Sequence, residues 1–173
     1  DFLASDKPIT TMPITESACG KEPDIASLRT FDNPLLVSDK ATGPAASLTV
    51  VEIKRPMRGG FKAGQSEEHD PILQALDYLR RLREGAKAKN GRPIPNADKI
   101  PGFVYVVADL TDHLRGCCEL HHLKIMADGM GYFGYHPSAY YNAYIQVISF
   151  DGLVAAATER NRAFFDRLGL PTS

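Results

Sequence analysis

Residues 47–54, SLTVVEIK, constrain the fold more than any other stretch of this chain. β-Branched residues suit a pleated, half-buried surface, and Pro56, which cannot donate to a sheet ladder, ends the run. Residues two apart on a strand share a face, so Glu52 and Lys54 project together while Val51 and Ile53 point the other way. An acid and a base therefore interrupt one apolar face. Either the pair is an exposed, salt-bridged strand surface, or Glu52 is a metal-binding carboxylate beside a lysine that orients or activates water. Short E-x-K strings are common, so the triplet alone favours the first reading.

Residues 24–31, DIASLRTF, predict a strand before this one, broken by Asp-Asn-Pro at 32–34. Residues 38–47 and 57–65 read as loops, the second basic and glycine-bearing. From 66 to 85 the pattern turns helical, with Ile72, Leu73, Leu76, Leu79 and Leu82 on one arc and Gly85 as C-cap. A buried strand is expected at 102–110, further strands at 120–127 and 140–150, and a last helix over 151–168, capped by Gly169 and stopped by Pro171. Residues 1–23 show no clear period. The loose alternation predicts an α/β (α+β) class, a mixed central β-sheet flanked by helices. The 173 residues suit a single domain, 1–173, and the missing initial Met suggests a fragment of a longer chain.

Charge adds a local signal. The 20 Lys+Arg and 21 Asp+Glu give a net charge of −1, which excludes a globally basic nucleic-acid binder. Yet residues 52–92 hold ten of those cations against six acids. Lys54, Arg55, Arg58 and Lys62 form one group; Arg80, Arg81, Arg83, Lys87, Lys89 and Arg92 form another, offset in this reading only by Glu84. Such a patch is what a polyanion partner needs, although a solvated face has the same composition. No apolar run reaches the roughly 18 residues of a membrane-spanning helix, and residues 1–10 do not read as a signal peptide. Three cysteines, Cys19, Cys117 and Cys118, cannot pair completely, which suggests a reducing, cytoplasmic compartment.

Asp24 shifts the balance for Glu52. It opens the preceding strand after Pro23, at a hairpin-like separation, so that pairing of the two strands brings both carboxylates toward one divalent cation. Hard oxygen ligands suit Mg²⁺ or Mn²⁺. Gln74 and Tyr78, at i and i+4, lie within about 40° of each other on the helix. Extended by Arg81, they make a polar edge on the side away from the apolar arc.

Pro23-Asp24, Glu52-x-Lys54 and Gln74-x-x-x-Tyr78, in this order on strand, strand and helix, resemble the PD-(D/E)xK nuclease superfamily and its RecB-like Gln-x-x-x-Tyr branch. The flanking text SDKP, FDNPL, VEIKRPMR, DPILQALDYLRRLREG, NGRPI, DGMGYFGYHP and ERNRAFFDRLGL is similar to the C-terminal nuclease-like domain of large bacterial ATP-binding proteins, in which a gyrase/histidine-kinase-type ATPase precedes it. The resemblance implies a restriction-endonuclease-like core and a Mg²⁺- or Mn²⁺-dependent nuclease, with DNA as the expected substrate. It implies Asp24 and Glu52 as metal ligands, Lys54 as the catalytic lysine, and Gln74 and Tyr78 as substrate-positioning residues; the expected mechanism adds the Ile53 carbonyl to the metal ligands and Arg81, on the same helix edge, to the substrate-binding residues. Asp32 competes with Asp24 for the first acidic position. The acidic residue that the superfamily often carries on an earlier helix has no clear counterpart, Glu16 and Glu22 being the nearby glutamates. The alternative function is a catalytically silent nuclease-fold module that binds nucleic acid or a protein partner and is coupled to an ATPase in the full-length chain.

Other strings are set aside. Gly129-x-Gly131-x-x-Gly134 matches a dinucleotide fingerprint but reads as an aromatic-bearing β-turn leading to His136-Pro137, without the strand–helix context that motif needs. Cys117, Cys118, His121 and His122 have adjacent-pair spacing that suits tetrahedral zinc poorly. His69 and His113 read as solvated, and Asp109 as the N-cap of the next segment in preference to an acid supporting the site.

Overall fold

The computed structural model describes residues 2–31, 45–87 and 91–169. Seven strands join in one mixed sheet: β1 (Phe2–Ser5), β2 (Ile25–Phe31), β3 (Ala45–Ile53), β4 (Gly102–Val107), β5 (Lys124–Ile125), β6 (Gly131–Tyr135) and β7 (Ala143–Ile148). Their order is β1-β2-β3-β4-β7-β6-β5. β1, β2 and β3 run antiparallel in succession, β3, β4 and β7 are parallel, and β6 and β5 return antiparallel. Three α-helices, α1 (Pro71–Arg83), α2 (Asp112–Leu120) and α3 (Phe150–Leu168), and two short 3-10 turns, Ile9–Thr11 and Ala97–Lys99, complete the described elements. The architecture is thus mixed α/β, a mixed sheet flanked by helices.

α1 makes the crossover between parallel β3 and β4 and packs on both. Its apolar arc, Ile72, Ala75, Leu76, Leu79 and Leu82, is fully buried against Leu48, Val50, Val104, Val106, Ile145 and Val147. At roughly 1.5–3 kcal/mol for each large apolar side chain, this layer supplies much of the driving force for folding. The contact is close. A Cβ on Gly102 would meet Leu79 Cδ2 at 2.1 Å, so only glycine lets the start of β4 pass under the helix. α1 begins later than its periodicity suggests: Asp70 caps it by accepting hydrogen bonds from Ile72 N and Leu73 N, and Pro71 fills the first position, where its missing N–H costs nothing. Gly85, with φ +62, follows the helix end.

Several expectations are corrected. Residues 2–5, read as irregular, form edge strand β1 against β2. The strand expected at 120–127 shrinks to the two residues of β5, because α2 occupies the segment before it. The N-cap of α2 is Thr111, whose side chain accepts from Leu114 N, and not Asp109. The aromatic part of the string, Gly131–Tyr135, forms strand β6, while Gly129 lies in the turn before it, and a Cβ on Gly131 would lie 2.5 Å from the Val147 carbonyl oxygen on β7. α3 extends as expected, from the Ser149 cap to Gly169, with most of its described length exposed. Asp32 and Lys89 lie outside the described residues.

Candidate functional site

The β2–β3 pairing runs from Phe31↔Ala45 to Ile25↔Val51, so one step further Asp24 and Glu52 stand opposite each other. Directly opposed residues of an antiparallel pair share a face. Here that face is the one under α1, shared with Leu28, Ala26, Leu48 and Val50. The exposed-strand reading of Glu52 and Lys54 therefore fails: the two residues are 6% and 5% exposed, while Ile53 on the other face is 47% exposed. Asp24, half-buried, accepts a hydrogen bond from Ile53 N on its Oδ2 at 2.5 Å, which ties the first carboxylate to the peptide beside the second.

Lys54 links strand to helix. Its Nζ donates to Glu52 Oε1 at 2.6 Å and to Gln74 Oε1 at 2.6 Å. Gln74 in turn donates from Nε2 to the Tyr78 hydroxyl at 2.6 Å. The i, i+4 spacing of α1 thus continues a polar chain from Glu52 through Lys54 and Gln74 to Tyr78, along the edge where the apolar arc ends. An ammonium has three donors, and two are used; the third is left for water or a phosphoryl oxygen. The Tyr78 oxygen serves as acceptor here, so its own proton is available as a donor.

Glu52 Oε2 is buried and has no hydrogen-bond partner among the described residues. A buried carboxylate oxygen without a partner carries a large desolvation cost unless a cation compensates it. Burial pushes the Glu52 carboxyl above its ordinary range; the Lys54 hydrogen bond and charge oppose the rise, and nearby Asp24 adds to it. Burial likewise raises the Tyr78 phenol, assisted by the charges of Glu52 and Asp24. Two acids converge here with one oxygen of Glu52 unsatisfied, and that donor set fits a hard divalent cation with Asp24 and Glu52 as its carboxylate ligands. Among the described residues no group of three or more His, Cys, Asp or Glu side chains is placed to hold a metal, so the remaining ligands of such an ion would be backbone oxygen, water and substrate.

Asp24, Glu52, Ile53, Lys54, Gln74 and Tyr78 are thus brought together. Arg81 is not part of this chain of bonds. It lies 3.6 Å from both Asp77 Oδ2 and Glu84 Oε1. Of the other cations in that group, Arg80, Arg83 and Lys87 are engaged too. Arg80 bonds Asp77 and Glu84, and Lys87 pairs with Glu16 at 2.5 Å. Arg83 is buried, donating to the carbonyls of Tyr141, Ile100 and Asn142. The stripe is a set of structural pairs rather than a free cationic surface, because Asp77 and Glu16 neutralise it along with Glu84. Asp77 also takes Lys21, and burial, which raises its pKa, is outweighed by the hydrogen bonds from Arg80 and Lys21, leaving the carboxyl below its ordinary range.

Sequence reasoning missed Asp70 and gave Asp109 another role. Asp70, fully buried, uses Oδ1 for the helix cap and Oδ2 for Gly64 N and His121 Nε2, both at 3.0 Å. The signal was present in Asp70-Pro71, an N-cap followed by proline at N1. His121 is thus the partner of Asp70, and Cys117 and Cys118 are buried thiols that burial pushes up to about 12, far from reactive. His69 bonds Ser66 Oγ at 2.8 Å. Asp109 accepts from Met57 N at 2.5 Å, a contact across 52 positions that no local pattern announces.

No protein-family model, curated protein or solved structure matches this chain. Among the described residues no helix is long and apolar enough to cross a membrane.

Proposed function

We propose that this chain is a metal-dependent nuclease that hydrolyses phosphodiester bonds of nucleic acid, DNA being the expected substrate, on a restriction-endonuclease-like core. The observation that carries the reading is Glu52: a buried carboxylate, opposite Asp24, with one oxygen held by Lys54 and the other without a partner. The order of parts supports it too, with an acid on one strand, Glu-x-Lys on its neighbour and Gln-x-x-x-Tyr on the following helix.

Asp24 and Glu52 would hold Mg²⁺ or Mn²⁺ together with the Ile53 carbonyl. Bound there, the ion supplies Lewis-acid polarisation of a phosphoryl oxygen and a lowered pKa for an attacking water. The protein's own groups do the rest. Lys54, fixed by Glu52 and Gln74, directs its third donor at the water or at the developing negative charge. Gln74 sets the position of Lys54 and of the Tyr78 hydroxyl, whose free proton can bond a substrate oxygen. Burial under α1 raises the strength of each of these interactions by lowering the local dielectric.

The test is cleavage of plasmid and linear DNA with Mg²⁺ or Mn²⁺. Activity should vanish in EDTA and fall by orders of magnitude in Glu52→Ala, Lys54→Ala and Asp24→Ala, with wild-type-like circular dichroism. Cleavage that survives EDTA, or that all three variants retain, refutes the proposal. Binding of DNA without cleavage under any divalent ion would leave the silent-module reading in its place.

A further inference from the structure

The chain's two cation groups meet different fates. On α1 the arginines are consumed by Asp77, Glu84 and backbone carbonyls. Between β3 and α1, Arg55, Arg58 and Lys62 are exposed, and no carboxylate among the described residues pairs with them. They follow directly on the strand that carries Glu52 and Lys54.

The backbone there is held in a defined shape. Arg58 N donates to the Arg55 carbonyl at 3.2 Å, closing a β-turn with Pro56 at its second position and Met57 at its third. Met57 has φ +58. Proline at the second position and positive φ at the third describe a type II turn, in which the third residue is ordinarily Gly or Asn. A methionine in the left-handed region costs roughly 1–2 kcal/mol. Asp109, two residues past the end of β4, offsets that cost by accepting the Met57 N–H at 2.5 Å, which pins the turn to the end of the sheet that bears Glu52. Arg55, Pro56 and Arg58 line a shallow recess of about 510 Å³. The Arg58 guanidinium sits over the buried Phe61 ring, 5.8 Å from its centroid, and its charge reaches Glu52.

We propose that the Arg55–Arg58 turn, clamped by Asp109, is the docking site for the phosphodiester backbone of the nucleic-acid substrate, with Asp109 as a positioning residue. The inference rests on the nuclease reading and assigns the cationic contacts to the substrate backbone to this turn instead of to the α1 arginines. Guanidinium forks match phosphate oxygens in a bidentate geometry, and backbone contacts of this kind set the register of a strand before chemistry. A turn already held in place by a carboxylate has less backbone entropy to lose when the phosphate arrives.

Binding is measured by fluorescence anisotropy on a fluorescein-labelled DNA duplex in EDTA, where a metal-dependent enzyme binds without cutting, across a salt series. In Arg55→Ala/Arg58→Ala the slope of log K against log salt should shrink by about 1.8, two phosphate contacts at about 0.9 each. Arg80→Ala/Arg81→Ala should keep the wild-type slope. Asp109→Ala should weaken binding, Asp109→Asn should retain it by keeping an acceptor, and Asp109→Ala/Met57→Gly should recover it, since glycine holds the positive φ unaided. A wild-type slope in Arg55→Ala/Arg58→Ala overturns the docking site, and the nuclease reading stands if cleavage continues. Failure of Met57→Gly to rescue Asp109→Ala overturns the clamp. A wild-type protein with no salt-dependent DNA binding and no cleavage overturns both.

Discussion

Replacing Lys54 with methionine tests the buried site without assuming any activity. Among the described residues the ammonium is the one hydrogen-bond donor to Glu52, whose Oε2 has no partner there. In Lys54→Met the carboxylate would have no partner at all in a site 6% exposed. Removing one member of a buried pair costs about 3–5 kcal/mol, which in a domain of this length is a fall of roughly 6–20 °C in Tm. The loss must depend on pH. Burial already raises the Glu52 carboxyl against the opposing influence of Lys54, and without Lys54 it rises further. A raised carboxyl binds its proton more tightly folded than unfolded. Its contribution is therefore fully present below the unfolded value and lost as pH rises through the folded one. The gap between variant and wild type should be small in acid and open toward alkaline pH. The double variant Glu52→Met/Lys54→Met should recover the stability, because replacing a buried ion pair by apolar side chains is commonly neutral or stabilising. Thermal unfolding followed by circular dichroism across that pH range decides it. A Lys54→Met protein whose deficit is constant with pH, or is absent at alkaline pH, would show that Glu52 is not stranded and that the site is wetter and looser than described.

If Asp24 and Glu52 hold a divalent cation, the affinity of the metal-free protein for Mn²⁺ should weaken, with decreasing pH, at values above those of an ordinary glutamate, as read by titration calorimetry, and an affinity that falls only in the ordinary carboxylate range would count against Glu52 as ligand. Arg83→Ala should lower stability by about 2–4 kcal/mol, since three carbonyls lose a charged donor, and leave DNA affinity unchanged, as read by denaturant unfolding beside anisotropy. Asp70→Ala should cost about 2 kcal/mol or more near neutral pH through the lost α1 cap and the stranded His121 and Gly64 donors. Burial tends to raise the Asp70 carboxyl, but hydrogen bonds from His121, Gly64 and Leu73 outweigh it and lower it. Its contribution should therefore persist above the ordinary carboxylate range and disappear as pH falls through the folded value, so that variant and wild type converge in strong acid.

By itself the sequence determined the parts whose signal is local. Alternation made 47–54 a strand and put Glu52 and Lys54 on one face; the helical period placed Gln74 and Tyr78 on one edge of α1; the spacing of 24–31 from 47–54 anticipated the hairpin-like pairing that sets Asp24 opposite Glu52. Tertiary structure decided what each of those faces meets. Whether Glu52 and Lys54 look at water or at a core depends on α1 lying across β3, and the helix covers them as it covers Leu48 and Val50. Whether a cation is free depends on carboxylates brought in from other elements. The α1 stripe is neutralised within its own helix by Asp77 and Glu84 and from outside by Glu16, while the 55–62 loop meets none among the described residues. Asp109 changed from an expected helix cap into a clamp on Met57, since a hydrogen bond spanning 52 positions leaves no period in the chain. Periodicity records which way a side chain points from its own backbone, and pairing energy depends on which distant backbone stands there.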